Sequence, residues 1–91
     1  MKLLFKDTEI GSVRISSHEN RWGYGDFVGN GEYEKLKDFL NAIVSDDGFD
    51  EDKFDKELLI EENWSLNDNG EIIGIDIPAI YEDGMIGILY R

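Results

Sequence analysis

The 91-residue chain has no cysteine, which excludes disulfide stapling and zinc–thiolate sites. Its one histidine, His18, is too little for a multi-histidine metal centre. No apolar run approaches the ~18 residues of a membrane-spanning helix. Met1–Lys6 is too short and too quickly charged to act as a signal peptide. A cytoplasmic protein with no cofactor, no bound metal and no membrane contact is expected. Bases are also scarce: nine Lys and Arg stand against 21 Asp and Glu, a net charge of −12. Bare phosphate backbones are repelled by such a chain, so direct nucleic-acid binding is not expected.

Hydrophobic residues make up 41% of the chain and aromatics 12%, enough for a packed core. A chain of this length buries about 60–65% of its unfolded surface. Residues 1–91 therefore form one domain with one core and one working surface.

The charge is lopsided. Residues 1–45 hold seven acids and six bases, whereas residues 46–91 hold fourteen acids and three bases. Asp46 to Glu62 alone carries nine acids and only Lys53 and Lys56. Such a cluster is either a solvated face with helix-end acids or a long-range field that attracts a basic protein.

Lys2–Lys6 and Glu9–Ser16 read as strands around a turn at Asp7-Thr8, with Phe5 opposite Ile10. Arg21–Val28 reads as a third strand, in which Gly23 and Gly25 suggest a bulge or close backbone approach. Asn30 then caps a helix whose Tyr33, Leu36, Phe39, Leu40, Ile43 and Val44 form one apolar stripe. A second, thinly apolar helix is expected from about Asp50 to Glu62.

Asn69-Gly70 and Asp83-Gly84 read as two-residue hairpin turns. They place Leu66 opposite Ile73, Trp64 opposite Ile75, Tyr81 opposite Ile86 and Ala79 opposite Ile88. The other face then holds Ile80, Met85 and Leu89. The expected fold is α+β: a mostly antiparallel sheet of about six to seven short strands, ending in a meander, with two helices packed on one face.

Chemical motifs are sparse. Gly23-Tyr24-Gly25-Asp26-Phe27-Val28-Gly29 misses the G-x-G-x-x-G spacing at Val28. Asn67–Ile72 resembles the middle of a calcium loop, but Ser65 and Asp76 fall where Asp and a bidentate Glu belong. The acids around Asp46 have no defined ligand spacing, leaving at most weak divalent-cation binding. His18 lies among Ser16, Ser17 and Glu19, and adjacency in sequence does not make a catalytic set. No catalytic residue is expected.

The run Asn63-Trp64-Ser65-Leu66, then Gly74-Ile75-Asp76-Ile77-Pro78-Ala79-Ile80-Tyr81-Glu82-Asp83-Gly84, resembles small acidic bacterial or phage proteins of uncharacterised function. Trp22-Gly23-Tyr24-Gly25-Asp26-Phe27 adds to the likeness. In size and charge the chain is similar to immunity proteins and other small inhibitors, a likeness that carries no residue roles.

The leading expectation is a non-catalytic binding protein that neutralises or regulates a basic partner, such as a toxin or a nucleic-acid-binding enzyme. Asp46, Asp47, Asp50, Glu51, Asp52, Asp55, Glu61 and Glu62 would supply the field, and Trp22 and Tyr24 the anchor. The alternative is a self-associating structural or accessory domain, a homodimer rather than a monomer, paired through Ile80, Met85 and Leu89 on a C-terminal edge strand. An enzyme ranks third.

The surplus of acids generates a thermal prediction. Raising salt from about 20 mM to about 150 mM screens like-charge repulsion and lifts Tm by a few degrees. Calorimetry showing no change, or a fall, would mean that the acids are individually paired.

Overall fold

The computed structural model describes residues 1–45 and 50–91. Asp46 and Asp47, two of the expected docking acids, lie outside the described residues, as does the side chain of Glu51. Seven strands form one antiparallel sheet: β1 Lys2–Phe5, β2 Thr8–Glu19, β3 Trp22–Gly29, β4 Trp64–Asp68, β5 Glu71–Gly74, β6 Ala79–Ile80 and β7 Met85–Leu89. Their order is β5-β4-β1-β2-β3-β7-β6. With helices α1 (Gly31–Glu34) and α2 (Lys37–Ile43) the fold is α+β, as expected.

Strand β1 turns back one residue earlier than its sequence suggests, through Lys6 at φ 55°. Phe5 therefore faces Thr8, not Ile10. A register shift between Leu3 and Leu4 leaves Ile10 as the extra residue of a bulge. Both Leu3 and Ile10 are then buried.

Strand β3 alternates cleanly: Gly23, Gly25 and Phe27 point inward while Trp22, Tyr24, Asp26 and Val28 point to solvent. Its glycines are steric necessities. A Cβ on Gly25 would run into the backbone carbonyl of Arg14 on β2. A Cβ on Gly23 would meet the Tyr90 hydroxyl at 2.9 Å.

Asn30 caps α1, its side-chain oxygen accepting from the N–H groups of Glu32 and Tyr33. The single expected helix is broken in two. Lys35 N–H donates to Glu32 C=O and Leu36 N–H to Tyr33 C=O, three-residue spacings that tighten the first turn. The break serves two packing targets. Tyr33 meets Phe27 edge-on at 5.0 Å, while Phe39 stacks on Trp64 at 6.3 Å.

The expected helix over Asp50–Glu62 is replaced by three short 3-10 turns, Glu51–Lys53, Lys56–Leu59 and Glu61–Asn63. The Asp50 and Asp55 carboxylates accept from the N–H groups of Asp52 and Glu57, local bonds that compete with a continuous helix. Among the described residues of this segment only Leu58 is buried, so no apolar stripe rewards the longer element. Leu58 C=O accepts the indole N–H of Trp64 at 3.0 Å, tying the segment to the core.

Asn69-Gly70 forms the expected turn, with Asn69 at φ 53° and Gly70 at φ 96°. Leu66 faces Ile73 as expected. The last hairpin does not keep its expected register. Tyr81 N–H donates to Met85 C=O and Gly84 N–H to Tyr81 C=O, enclosing a three-residue loop with Gly84 at φ 86°. Ile80 therefore pairs with Ile86, and Ala79 with Gly87. A one-residue slip exchanges the two faces of β6: Ile80 is buried and Tyr81 exposed.

Strand β7 is no edge strand. It lies between β3 and β6. The chain beyond β5 leaves β4 and crosses to β7. Ile75 N–H donates to Trp64 C=O, Asp76 N–H to Leu89 C=O, and Ile75 bridges Tyr90. The switch of partner falls between Ile75 and Asp76, and buried Pro78, which has no N–H to donate, stands just before β6. The sheet thus coils until its ends meet, enclosing Leu3, Val13, Phe27, Trp64, Ile75 and Ile88 under the helices.

Two glycine substitutions test this packing by urea denaturation. Gly25→Ala should cost more than about 3 kcal/mol or abolish folding, because backbone has to move. Gly31→Ala, with open space around it, should stabilise α1 by about 0.5–1 kcal/mol.

Candidate functional site

Pairing of β3 with β7 assembles a surface from residues far apart in the chain. Trp22 faces Leu89, Tyr24 faces Gly87, and Asp26 faces Met85. Residues directly opposite share a face, so Trp22, Tyr24, Met85 and Leu89 lie together on the outer side of the sheet. Trp22 and Tyr24 stack at 6.2 Å with planes 13° apart. The Tyr24 ring packs over Gly87, 3.7 Å from where a Cβ would stand. Exposure is 40% for Trp22, 37% for Tyr24 and 42% for Met85.

The two expected anchors are therefore on a solvent-facing patch. Of the three expected self-association residues, Met85 and Leu89 join that patch, whereas Ile80 is 2% exposed and belongs to the core. Val28, 71% exposed, continues the same face and was missed. The alternation of β3 was the signal for it, since Trp22, Tyr24 and Val28 share one parity. Arg14 and Asp26, opposite one another across β2 and β3, add the polar groups of the patch.

One end of the sheet is closed by side chains from the β2–β3 turn and the C-terminus. The His18 ring stacks on Tyr90 at 6.0 Å. The Arg21 guanidinium donates twice to Tyr90 C=O, at 3.2 and 2.9 Å. Burial, and secondarily the charge of Asp68, push the Tyr90 phenol above its ordinary pKa. Tyr33 is shifted upward by burial first and Glu34 second. His18 thus packs as a ring against a ring.

Asp50, Asp52, Asp55, Glu61 and Glu62 are all exposed. They lie on the 3-10 turns that lead into β4, which β1 and β2 separate from β3. The acids thus sit on the connection into β4, and the aromatic patch on the outer face of β3 and β7. Among the described residues, three ion pairs form: Lys2–Glu9 at 3.4 Å, Lys6–Glu57 at 3.5 Å and Lys35–Glu32 at 3.1 Å. None of these five acids takes part in them. Among the described residues no cluster of three or more ligating side chains is placed to hold a metal ion. A shallow groove of about 580 Å³ between α2 and the β6–β7 loop is lined in part by Asn41, Val44, Tyr81 and Glu82.

No family model, no curated protein and no solved structure matches the chain.

The two tryptophans report on this surface separately. Acrylamide should quench Trp22 and leave Trp64, fully buried, largely protected. Trp22→Phe should then leave a single, blue-shifted and weakly quenched emission. A Trp22→Phe spectrum as quenchable as wild type would place Trp22 inside instead.

Proposed function

We propose that the chain is a small acidic, non-catalytic binding protein that neutralises or regulates a basic partner protein, in the manner of an immunity protein or inhibitor. The partner would be a toxin or a nucleic-acid-binding enzyme. The observation that carries this reading is the solvent-facing Trp22–Tyr24 pair beside Met85, with no buried charge among the described residues. Rigid aromatic groups are the usual anchors of protein interfaces. The surface carboxylates keep their full field for steering a basic partner. A cysteine-free chain also suits the reducing cytoplasm, where we place it.

The two regions divide the work. Asp50, Asp52, Asp55, Glu61 and Glu62 govern the approach. Trp22 and Tyr24 hold the docked complex by excluding water around their rings. Steering is lost to salt because exposed charges are screened beyond about 8–10 Å at physiological ionic strength.

The test is association kinetics with the partner captured by the wild-type chain at low salt. The association rate should fall roughly tenfold or more from about 20 mM to about 200 mM salt. Reversing Asp50, Asp52, Asp55 and Glu61 to Lys should flatten that dependence. Trp22→Ala should mainly raise the dissociation rate. A salt-independent association rate that survives the charge reversal would overturn the proposal.

A further inference from the structure

Strand β2 outruns its neighbour. Val13 N–H donates to Met1 C=O at 2.8 Å, and the Met1 amino group donates to Val13 C=O at 3.1 Å. Beyond Val13, β2 continues to Glu19 with β3 along one side only. Among the described residues no strand pairs with Arg14–Glu19 on the other side. Both backbone groups of Val13 point to that side, and alternation along the strand points those of Ile15 there too. An uncovered edge of this kind is a template for another strand.

This edge is complementary to itself. It reads Arg14-Ile15-Ser16-Ser17-His18-Glu19, with a cation at one end and an anion at the other. Arg14 faces Asp26 and Glu19 faces Trp22, both on the outer side. Ile15 faces Gly25 and His18 faces Gly23, both on the inner side. Arg14 and Glu19 are five residues apart, so in a regular strand they would lie on opposite faces. The register shift between Ile15 and Ser17 brings them to the same one. Neither forms an ion pair among the described residues.

We propose that Arg14–Glu19 is a self-pairing edge whose occupant is the same edge of a second copy, antiparallel about a two-fold axis between Ser16 and Ser17. In that register Arg14 of each copy faces Glu19 of the other on the outer side, and Ile15 faces His18 on the inner side. Two equivalent ion pairs close the ends, as an isologous contact requires. The placement also suits the charge of the whole chain. The β2–β3 hairpin arm, residues 14–26, carries Arg14 and Arg21 against Glu19 and Asp26 and is neutral overall, so copies of a −12 protein meet where their mutual repulsion is low. The proposal does not depend on the partner-binding reading, which uses the outer face of β3 and the acids near β4.

Six residues per copy make a small contact, far below the ~1,600 Å² of a standard interface. A weak, reversible dimer is expected, with a dissociation constant on the order of 100 μM. Sedimentation equilibrium at about 150 mM salt, up to about 1 mM protein, reads it directly. The wild-type chain should show a concentration-dependent dimer. R14E alone and E19R alone should each weaken it at least tenfold, since each faces like charge across the axis. An equimolar mixture of R14E and E19R should dimerise again, because each ion pair is restored between unlike chains. A wild-type chain that stays monomeric would mean that the bulge blunts the edge, and would overturn the proposal. So would single variants that dimerise as wild type does, or a mixture that stays monomeric.

Discussion

The pairing of β3 with β7 is the interaction on which the rest of the structure depends. It joins Trp22 to Leu89 and Asp26 to Met85, positions separated by most of the chain. Such a contact is entropically expensive to close and forms only if the surfaces fit closely. What β3 lacks lets both neighbours close on it: Gly25 lies against the backbone of Arg14 on β2, and Gly23 lies under the ring of Tyr90, which follows β7. Side chains at either place would hold the neighbouring elements apart. With the glycines turned inward, alternation turns Trp22 and Tyr24 outward. The same two-residue period that closes the core therefore builds the exposed face.

Trp64 plays the matching part on the other side of the core. It is fully buried, stacks with Phe39, packs against Phe5 at 4.8 Å and donates its indole N–H to Leu58. That last bond helps hold an acid-rich segment with few apolar residues to the fold. The segment needs no amphipathic helix. Leu58 is buried, Phe54 meets Phe39 edge-on at 5.3 Å, Glu57 pairs with Lys6, and Asp50, Asp52, Asp55, Glu61 and Glu62 remain exposed, where ionised groups cost least.

Local signals were legible in the sequence and non-local ones were not. Asn69-Gly70 allowed one turn, and Leu66 met Ile73 as its register required. Asp83-Gly84 was ambiguous, because the same dipeptide ends a three-residue loop when Gly84 takes positive φ. That one-residue difference moved Ile80 into the core and Tyr81 out of it. The apolar stripe from Tyr33 to Val44 identified the helical region, yet could not show that Tyr33 and Phe39 pack on different targets. The acid-rich stretch carried too few apolar residues for periodicity to decide between a helix and successive 3-10 turns. Trp22 and Tyr24 could be singled out as candidate surface aromatics, and both are exposed. Their meeting with Met85 and Leu89 was not legible, because nothing in a single strand names the strand beside it.

The acidic surplus and the exposed aromatic face answer a question that each raises about the other. An outer face carrying Trp22, Tyr24, Met85 and Val28 is the kind of surface through which copies of a protein aggregate. A charge of −12 opposes that, since every encounter between two copies is repulsive at long range. On the proposed reading, solvation of the chain and attraction of a basic partner would be one electrostatic property seen by two kinds of neighbour. The same field discriminates among contacts. It disfavours any approach of copies through the acid-rich half more than an approach through the end of the β2–β3 hairpin, where Arg14 and Arg21 balance Glu19 and Asp26. On the proposed reading, charge distribution, more than apolar area, would decide which surface is kept for a partner and which can meet its own copy.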